Sequence, residues 1–235
     1  MHENAIINPA DKGWEMFPEP HGRPTTPTRI LREQDPFIIE ADFPANFFAA
    51  EHWHPFDTIY LFTAGEMKIG NEGAFRPGDI RWVKAGHAYG PEEAGPEGVR
   101  FHLLSLGGHV GLNWADLYRV PDELLSRLGK FEKPAGKRTI DTMMAMRPEE
   151  DAPTSASMPD EGPVMFKLTL NKSNESREVC LPYRSLWFVR EGEIAVDDSD
   201  TIGAGLFFCA ESEQPYRVRI NEDASEVLIF GTSAT

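Results

Sequence analysis

The stretch Glu51–Gly90, EHWHPFDTIYLFTAGEMKIGNEGAFRPGDIRWVKAGHAYG, decides the fold. It consists of short apolar runs, and we expect Gly65 and Gly78 to turn the chain between neighbouring strands. Near its start, His52 and His54 stand one residue apart, and in an extended segment such residues face the same side. Their imidazoles can then bind one ion, because nitrogen ligands suit iron, nickel, copper and zinc. The stretch therefore predicts adjacent strands that carry a histidine pair on one face.

The spacing of these residues resembles the two motifs of the cupin superfamily. The first motif, H-x-H followed by Glu and Gly, is matched by His52, His54 and Gly65, with Thr58 at the position of the Glu. The second motif, P-G-D followed by P-x-G-x-x-H, is matched at Pro77, Gly78, Asp79 and Gly86, with Lys84 at the Pro and Tyr89 at the His. The resemblance implies an all-β fold of double-stranded β-helix (cupin jelly-roll) barrels, in which two of the four usual metal ligands are kept.

Composition excludes several classes of protein. The chain has 235 residues, enough for one large or two small domains, and its formal net charge of −15 argues against nucleic acid and anionic membranes as partners. No apolar run approaches the roughly 20 residues that span a bilayer. The N-terminus lacks the pattern of a signal peptide, and two cysteines make no disulfide framework. We therefore expect a cytoplasmic protein.

The chain divides into four segments by pattern. Residues 1–27 read as an irregular N-terminal arm, 28–112 as a first barrel, 113–160 as a helix and linker, and 161–235 as a second barrel. The helix is predicted at 121–129, where Pro and acidic residues precede leucines at helical spacing and a terminal Gly.

An internal repeat supports the second barrel. A shift of 127 residues carries Gly65 onto Gly192, and the same shift carries Tyr89 onto Tyr216. It also replaces His52 by Val179, and the other candidate ligands are lost in the same way. We therefore expect a two-barrel (bicupin) chain with a degenerate second barrel and any chemistry in the first.

The third metal ligand stays open between His87 and His102. His87 shares strand parity with Tyr89, whereas His102 lies between Phe101 and Leu103, and either face of that strand is arguable. Each also has a structural reading, as a loop residue or as a residue on the other face of the sheet.

Other side chains would contact a substrate. Tyr60 and Phe62 share parity with Thr58 and would line the cavity, and Arg81 inside the barrel would hold a carboxylate or enolate. Tyr89 could act as ligand, as catalytic acid or base, or as a structural residue.

Three functions remain open. The first, implied by the resemblance, is a metal-dependent dioxygenase that acts on a small aromatic or dicarbonyl compound, with iron(II) as cofactor before nickel, manganese or zinc. The second is a lyase, isomerase or hydrolase whose metal is a Lewis acid. The third is a non-catalytic module that binds a small ligand. The resemblance also implies that the arm could support a homodimer.

Overall fold

The protein is described by a computed structural model, and the residues that it describes lie mainly in antiparallel strands. The structure describes residues 6–17, 26–34, 36–54, 56–84, 87–106, 113–114, 149–150, 165–171, 176–197, 200–220 and 224–231. These residues fall into two compact units. The first unit lies within Lys12–Met146 and the second within Met1–Asp11 and Arg147–Thr235.

The described strands are numbered in chain order. Up to the end of the first unit they are β1 (Ile6–Ile7), β2 (Glu15–Phe17), β3 (Thr26–Arg32), β4 (Phe37–Phe43), β5 (Phe48–Ala49), β6 (His52–Trp53), β7 (Asp57–Ile69), β8 (Gly73–Phe75), β9 (Ile80–Val83), β10 (Glu92–Leu106) and β11 (Asn113–Trp114), with a 3-10 turn at Pro9–Asp11. The remaining strands are β12 (Glu149–Glu150), β13 (Met165–Asn171), β14 (Arg177–Cys180), β15 (Ser185–Glu191), β16 (Glu193–Val196), β17 (Asp200–Gly203), β18 (Phe207–Ala210), β19 (Pro215–Ile220) and β20 (Ala224–Gly231).

The first unit is built around the long pair β7 and β10. These strands lie between β4 and β8 in an eight-stranded sheet, and β9 pairs with the start of β7 on the same edge as β8. The pairing sets Tyr60 opposite Leu103 and Phe62 opposite Phe101, and the four side chains share one apolar cluster. Alternation along a strand then fixes the inward face of each neighbour.

Gly65 is not the turn that the sequence predicts, because it lies inside β7 with a φ of 70°. Its strand approaches Gly98 so closely that a Cβ atom would lie 2.1 Å from that carbonyl oxygen. A register shift just before Gly65, where Phe62 and Ala64 pair with the successive residues Phe101 and Arg100, changes which residues of β7 face inward. Tyr60 and Phe62 face inward before the shift, and Met67 and Ile69 face inward after it. The prediction of a turn at Gly78 is confirmed, since Asp79 N donates to Arg76 O across it.

The second unit repeats this pairing. Ser185 of β15 lies opposite Ala210 of β18, just as Thr58 of β7 lies opposite Val83 of β9, 127 residues earlier in each case. Its core is apolar and centres on Trp187. The short strand Ile6–Ile7 falls in the segment predicted to be an irregular arm, and it pairs with β18 in this unit.

The all-β class of the prediction is confirmed, with antiparallel pairing throughout except between β12 and β13. The helix predicted at 121–129 lies outside the described residues, and the four segment boundaries stay predictions. Among the described residues, no helix is long and apolar enough to cross a membrane.

Gly65→Ala is expected to lower the free energy of unfolding by more than about 3 kcal/mol, since the new Cβ meets Gly98 backbone and the φ is strained. Gly78→Ala is the matched control. Gly78 has a φ of 93°, and an added Cβ would meet nothing within 4 Å. This variant should therefore lower the free energy of unfolding by only about 1–2 kcal/mol, the cost of the strained φ alone. Urea denaturation measures both, and equal losses would contradict the close approach at Gly65.

Candidate functional site in the first unit

The histidine pair lies inside the first unit. His52 is 3% exposed and His54 is 4% exposed, and their ring centroids are 5.3 Å apart. His52 belongs to β6, and its backbone exchanges two hydrogen bonds with Tyr89, of 3.0 and 2.9 Å. This bridge places the Tyr89 ring 4.5 Å from that of His52 and 6.0 Å from that of His54. Three rings from the two sequence motifs therefore converge.

The hydrogen bonds of His52 determine its tautomer. Nδ1 lies 2.9 Å from the carbonyl oxygen of Ala50, which only accepts, so the proton is assigned to Nδ1. Burial, with a smaller effect from Arg81, lowers the pKa of His52 to about 4, although the bond to Ala50 opposes the shift. The ring is therefore neutral at pH 7, and its Nε2 lone pair faces the Tyr89 hydroxyl at 3.0 Å.

Tyr89 is the first member of a buried polar series. Its hydroxyl contacts that of Tyr60, and the Tyr60 hydroxyl donates to Glu92 Oε1 at 2.9 Å. Burial, followed by the nearby Glu92 carboxyl, raises the pKa of both phenols, so both are protonated at neutral pH.

The series lacks one proton if Glu92 is ionised. Three contacts join His52 Nε2, Tyr89, Tyr60 and Glu92, but the two phenols supply only two protons. Burial raises the pKa of Glu92, against the opposing effects of Arg81 and of the Tyr60 hydrogen bond. With the Tyr60 hydroxyl donating to it, the Glu92 carboxyl is therefore the member of the series that can take up a third proton.

Arg81 faces this series rather than solvent. It is 1% exposed, and its Cζ lies 4.2 Å from the Tyr89 ring centre and 5.2 Å from that of Tyr60. A two-point ion pair with Glu72, of 2.7 and 3.1 Å, balances its charge. Because Arg81 and Trp82 are successive residues of β9, only one of the two side chains can face inward. The structure places Arg81 inside, while Trp82 Nε1 donates to Asp57 on the opposite face.

Thr58 and Phe62 also lie on the inward face. Phe62 stacks on Tyr60 with ring centroids 5.8 Å apart, and Thr58 is fully buried at the end of the strand nearest the histidines. The structure therefore brings together all four residues that the sequence proposed for substrate contact and Tyr89.

His102 faces away from the histidine pair. Phe101 and Leu103 belong to the inward cluster, so His102 between them points to the other side of β10. There it lies opposite Glu40, and Arg29 is ion-paired with that carboxylate. The structure therefore does not bring His102 into the predicted ligand set, because strand alternation turns its ring to the other face of β10.

His87 does not complete the set either. It is half-buried, and its backbone N–H donates to Lys84 O at 3.2 Å. In the described part of the chain, no three His, Cys, Asp or Glu residues are grouped so that they could hold a metal ion. Neither His87 nor His102 therefore joins His52 and His54 around one point.

The group that could serve as a third donor beside the two imidazoles is the phenol of Tyr89. An imidazole binds a divalent ion at about 2.0–2.1 Å, so two imidazole centres on one ion lie about 5 Å apart, close to the observed 5.3 Å. A carbonyl that accepts from the other ring nitrogen, as Ala50 does for His52, is the usual support of a metal-bound histidine. The residues present thus fit an ion held by His52, His54 and Tyr89.

Two carboxylates of the site were not singled out from the sequence. Glu92 and Glu72 lie outside the motif position where a carboxylate was sought, which is occupied by Thr58. Simple alternation counted back along β10 from the inward Phe101 would place Glu92 on the outward face. A register shift between Ala94 and Val99 reverses that alternation, so Glu92 faces inward. Sequence alternation alone gives no signal for it.

The outward position of His102 makes stability depend on pH. Burial, then Arg29 and Arg100, lowers its pKa from 6.5 to about 3, so the unfolded chain binds the proton more readily. The contribution of His102 to the free energy of unfolding is therefore fully present above about pH 6.5. It is lost as the pH falls towards 3, by about 1.4 kcal/mol per pH unit. Between pH 7 and pH 5, urea denaturation should show a loss about 2 kcal/mol smaller in His102→Gln than in the wild type. Equal losses would contradict the burial of a neutral His102.

No protein-family model matches the chain, and no curated protein matches it in sequence. Solved structures do match. A candidate dioxygenase from Nostoc punctiforme PCC 73102 is 14% identical with a TM-score of 0.66, over 98% of this chain and 80% of that one.

Oxalate decarboxylase from Bacillus subtilis is also similar. Its structure at pH 4.6 is 12% identical with a TM-score of 0.58, over 99% of this chain and 77% of that one. A structure of the same enzyme described for its Mn(II) centres is 14% identical with a TM-score of 0.57, over 100% and 79%. At these identities the likeness concerns the fold, and together with the strand order and the two motifs it shows that this chain has the fold of the cupin superfamily.

Proposed function

We propose that the first unit contains the active site of a metal-dependent cupin enzyme. The enzyme would be a dioxygenase that acts on a small dicarbonyl compound. The observation that carries the proposal is the convergence of the His52, His54 and Tyr89 rings, with centroids 4.5–6.0 Å apart. Iron(II) is the proposed ion, held by these three side chains, and it would supply the redox chemistry that the use of dioxygen requires. The similar structures of a candidate dioxygenase and of a manganese enzyme support the class of reaction.

The charges of the site favour an enolisable substrate. A 1,3-dicarbonyl compound loses a proton to become an enolate, and the buried guanidinium of Arg81 stabilises that negative charge. Tyr60 and Phe62 offer stacked aromatic faces to the apolar part of the compound. A small aromatic compound with a neighbouring hydroxyl fits the same surface.

The chain's own residues would bind and orient this substrate. Arg81 is held in place by Glu72, so its position is set before any ligand arrives. The proton that leaves the dicarbonyl carbon can be received within the series Tyr89–Tyr60–Glu92, whose members are hydrogen-bonded to one another. Burial of these groups keeps bulk water away from the enolate.

His52→Ala is expected to reduce bound iron from about one ion per chain to a small fraction, because it removes a nitrogen ligand and its supporting carbonyl contact. His54→Ala should do the same, whereas Tyr89→Phe should weaken binding by about 10–100-fold and remove any visible phenolate absorption of the ferric form. Metal analysis after reconstitution with iron(II), manganese(II) and zinc(II) measures each.

His102→Gln is the matched control, since that ring faces the other side of β10. It should keep the wild-type metal content. A wild-type protein that takes up no metal, or a His102→Gln variant that loses as much as His52→Ala, would overturn the proposed site.

A second candidate function is that of a lyase, isomerase or hydrolase, favoured by the hydrogen-bonded series that ends on Glu92. In that reaction the metal would polarise a carbonyl, and Tyr89 would give or take the proton. Oxygen separates the two candidates. The dioxygenase should consume 2,4-pentanedione only in air and with matching oxygen uptake, whereas cleavage that continues under argon, followed by NMR, would support the second candidate.

A further inference from the structure

Two hydroxyl groups are buried side by side in the first unit without hydrogen-bond partners. Thr58 of β7 lies opposite Ser105 of β10, and both residues are 0% exposed. Their parity is that of Tyr60 and Leu103, so both face the inward cluster. Thr58 Oγ1 and Ser105 Oγ each lack a partner. Since a buried unpaired hydroxyl costs about 1–3 kcal/mol, the pair calls for an explanation.

The second unit satisfies the equivalent hydroxyl. Ser185 occupies the position of Thr58, and its Oγ accepts a hydrogen bond of 2.8 Å from Trp187 Nε1. In the first unit Tyr60 replaces this tryptophan. Its hydroxyl is bound to Tyr89 and Glu92 instead, so it does not serve Thr58.

The second unit also fills the space of the other hydroxyl. Opposite Ser185 stands Gly231, where a Cβ would lie 2.6 Å from Cε2 of the Tyr183 ring. That ring is 2% exposed, whereas Phe56, the residue 127 positions before Tyr183, is only half-buried. The first unit therefore keeps a hydroxyl side chain where the second unit has a packed ring.

The residues beside the Thr58 and Ser105 hydroxyls indicate which ligand chemistry would suit them. Thr58 lies opposite Val83, and two residues further along β7 Tyr60 lies opposite Arg81. Both pairs face the same side of the sheet. Two hydroxyl donors next to a guanidinium match the oxygen atom of a carbonyl or a carboxylate. An apolar ligand would leave both hydroxyls unpaired.

We propose that Thr58 and Ser105 form a polar subsite that binds one oxygen atom of a small 1,3-dicarbonyl or dicarboxylate ligand inside the first unit. This ligand class rests on the proposed function, but the hydroxyl pair stands on its own geometry. The subsite determines specificity, because the hydroxyls gain partners only when such an oxygen is bound.

The test compares wild-type protein with Thr58→Val and Ser105→Ala. Binding of 2,4-pentanedione and of malonate is measured by calorimetry, and metal content and thermal stability are measured on the same samples. Each variant should bind the preferred probe about 3- to 10-fold more weakly, as expected for the loss of one hydrogen bond. The melting temperature of the ligand-free protein should stay equal or rise, because the substitution removes an unpaired buried hydroxyl.

Ser185→Ala is the matched control in the second unit. It deprives Trp187 Nε1 of its acceptor, so it should lower the melting temperature and leave probe binding unchanged.

The results separate this inference from the proposed function. Weakened binding with unchanged metal content supports both, and weakened binding in a protein that holds no metal supports the subsite alone. Unchanged binding in both variants, or a lowered melting temperature like that of Ser185→Ala, overturns the subsite and leaves the metal proposal standing. A wild-type protein that binds neither probe also overturns the subsite.

Discussion

The register between β7 and β10 is the constraint on which the first unit depends. A shift of one residue would move every side chain of a strand to the other face. With Tyr60 opposite Leu103, the inward face carries Thr58, Tyr60 and Phe62, and the outward face carries His102. The register shift between Phe62 and Ala64 then changes the parity, so that Met67 and Ile69 also point inward. Both halves of a thirteen-residue strand thereby bury their large apolar side chains.

The polar series gains its properties from this burial. The two phenols, the carboxyl and the imidazole are buried and lose hydration, so each is driven towards its neutral form. Their hydrogen bonds to one another replace the lost water, which makes the series stable only as a complete set. The permanent cation beside this series, Arg81, is tolerated because Glu72 pairs with it at two points. A neutral imidazole beside neutral phenols is the state in which a metal ion or a proton can be accepted.

The sequence was sufficient for the fold class and for the close, buried pairing of the His52 and His54 rings. The residues that bound the strands and the H-x-H spacing are local features of the sequence, so they can be recognised without knowledge of the strand register. Parity within one uninterrupted run was also enough to group Tyr60 and Phe62 with Thr58. The face of His102 was not accessible in this way, because a buried apolar run alternates between two packed faces and His102 is buried on either. Glu92 was missed for a related reason, since the register shift before Val99 breaks the count of parity.

The comparison of the two units separates scaffold from chemistry at Tyr89. Tyr216 holds the same position in the second unit, opposite Val179 as Tyr89 is opposite His52. There the hydroxyl accepts from the backbone N–H of Glu211 at 2.9 Å, a contact within the loop that precedes its own strand. The aromatic ring is therefore part of the scaffold of either unit, packed on Trp187 in one and on Tyr60 in the other. What distinguishes the first unit is the partner of the hydroxyl: an imidazole replaces a backbone amide, and a residue that otherwise holds a loop becomes available for chemistry.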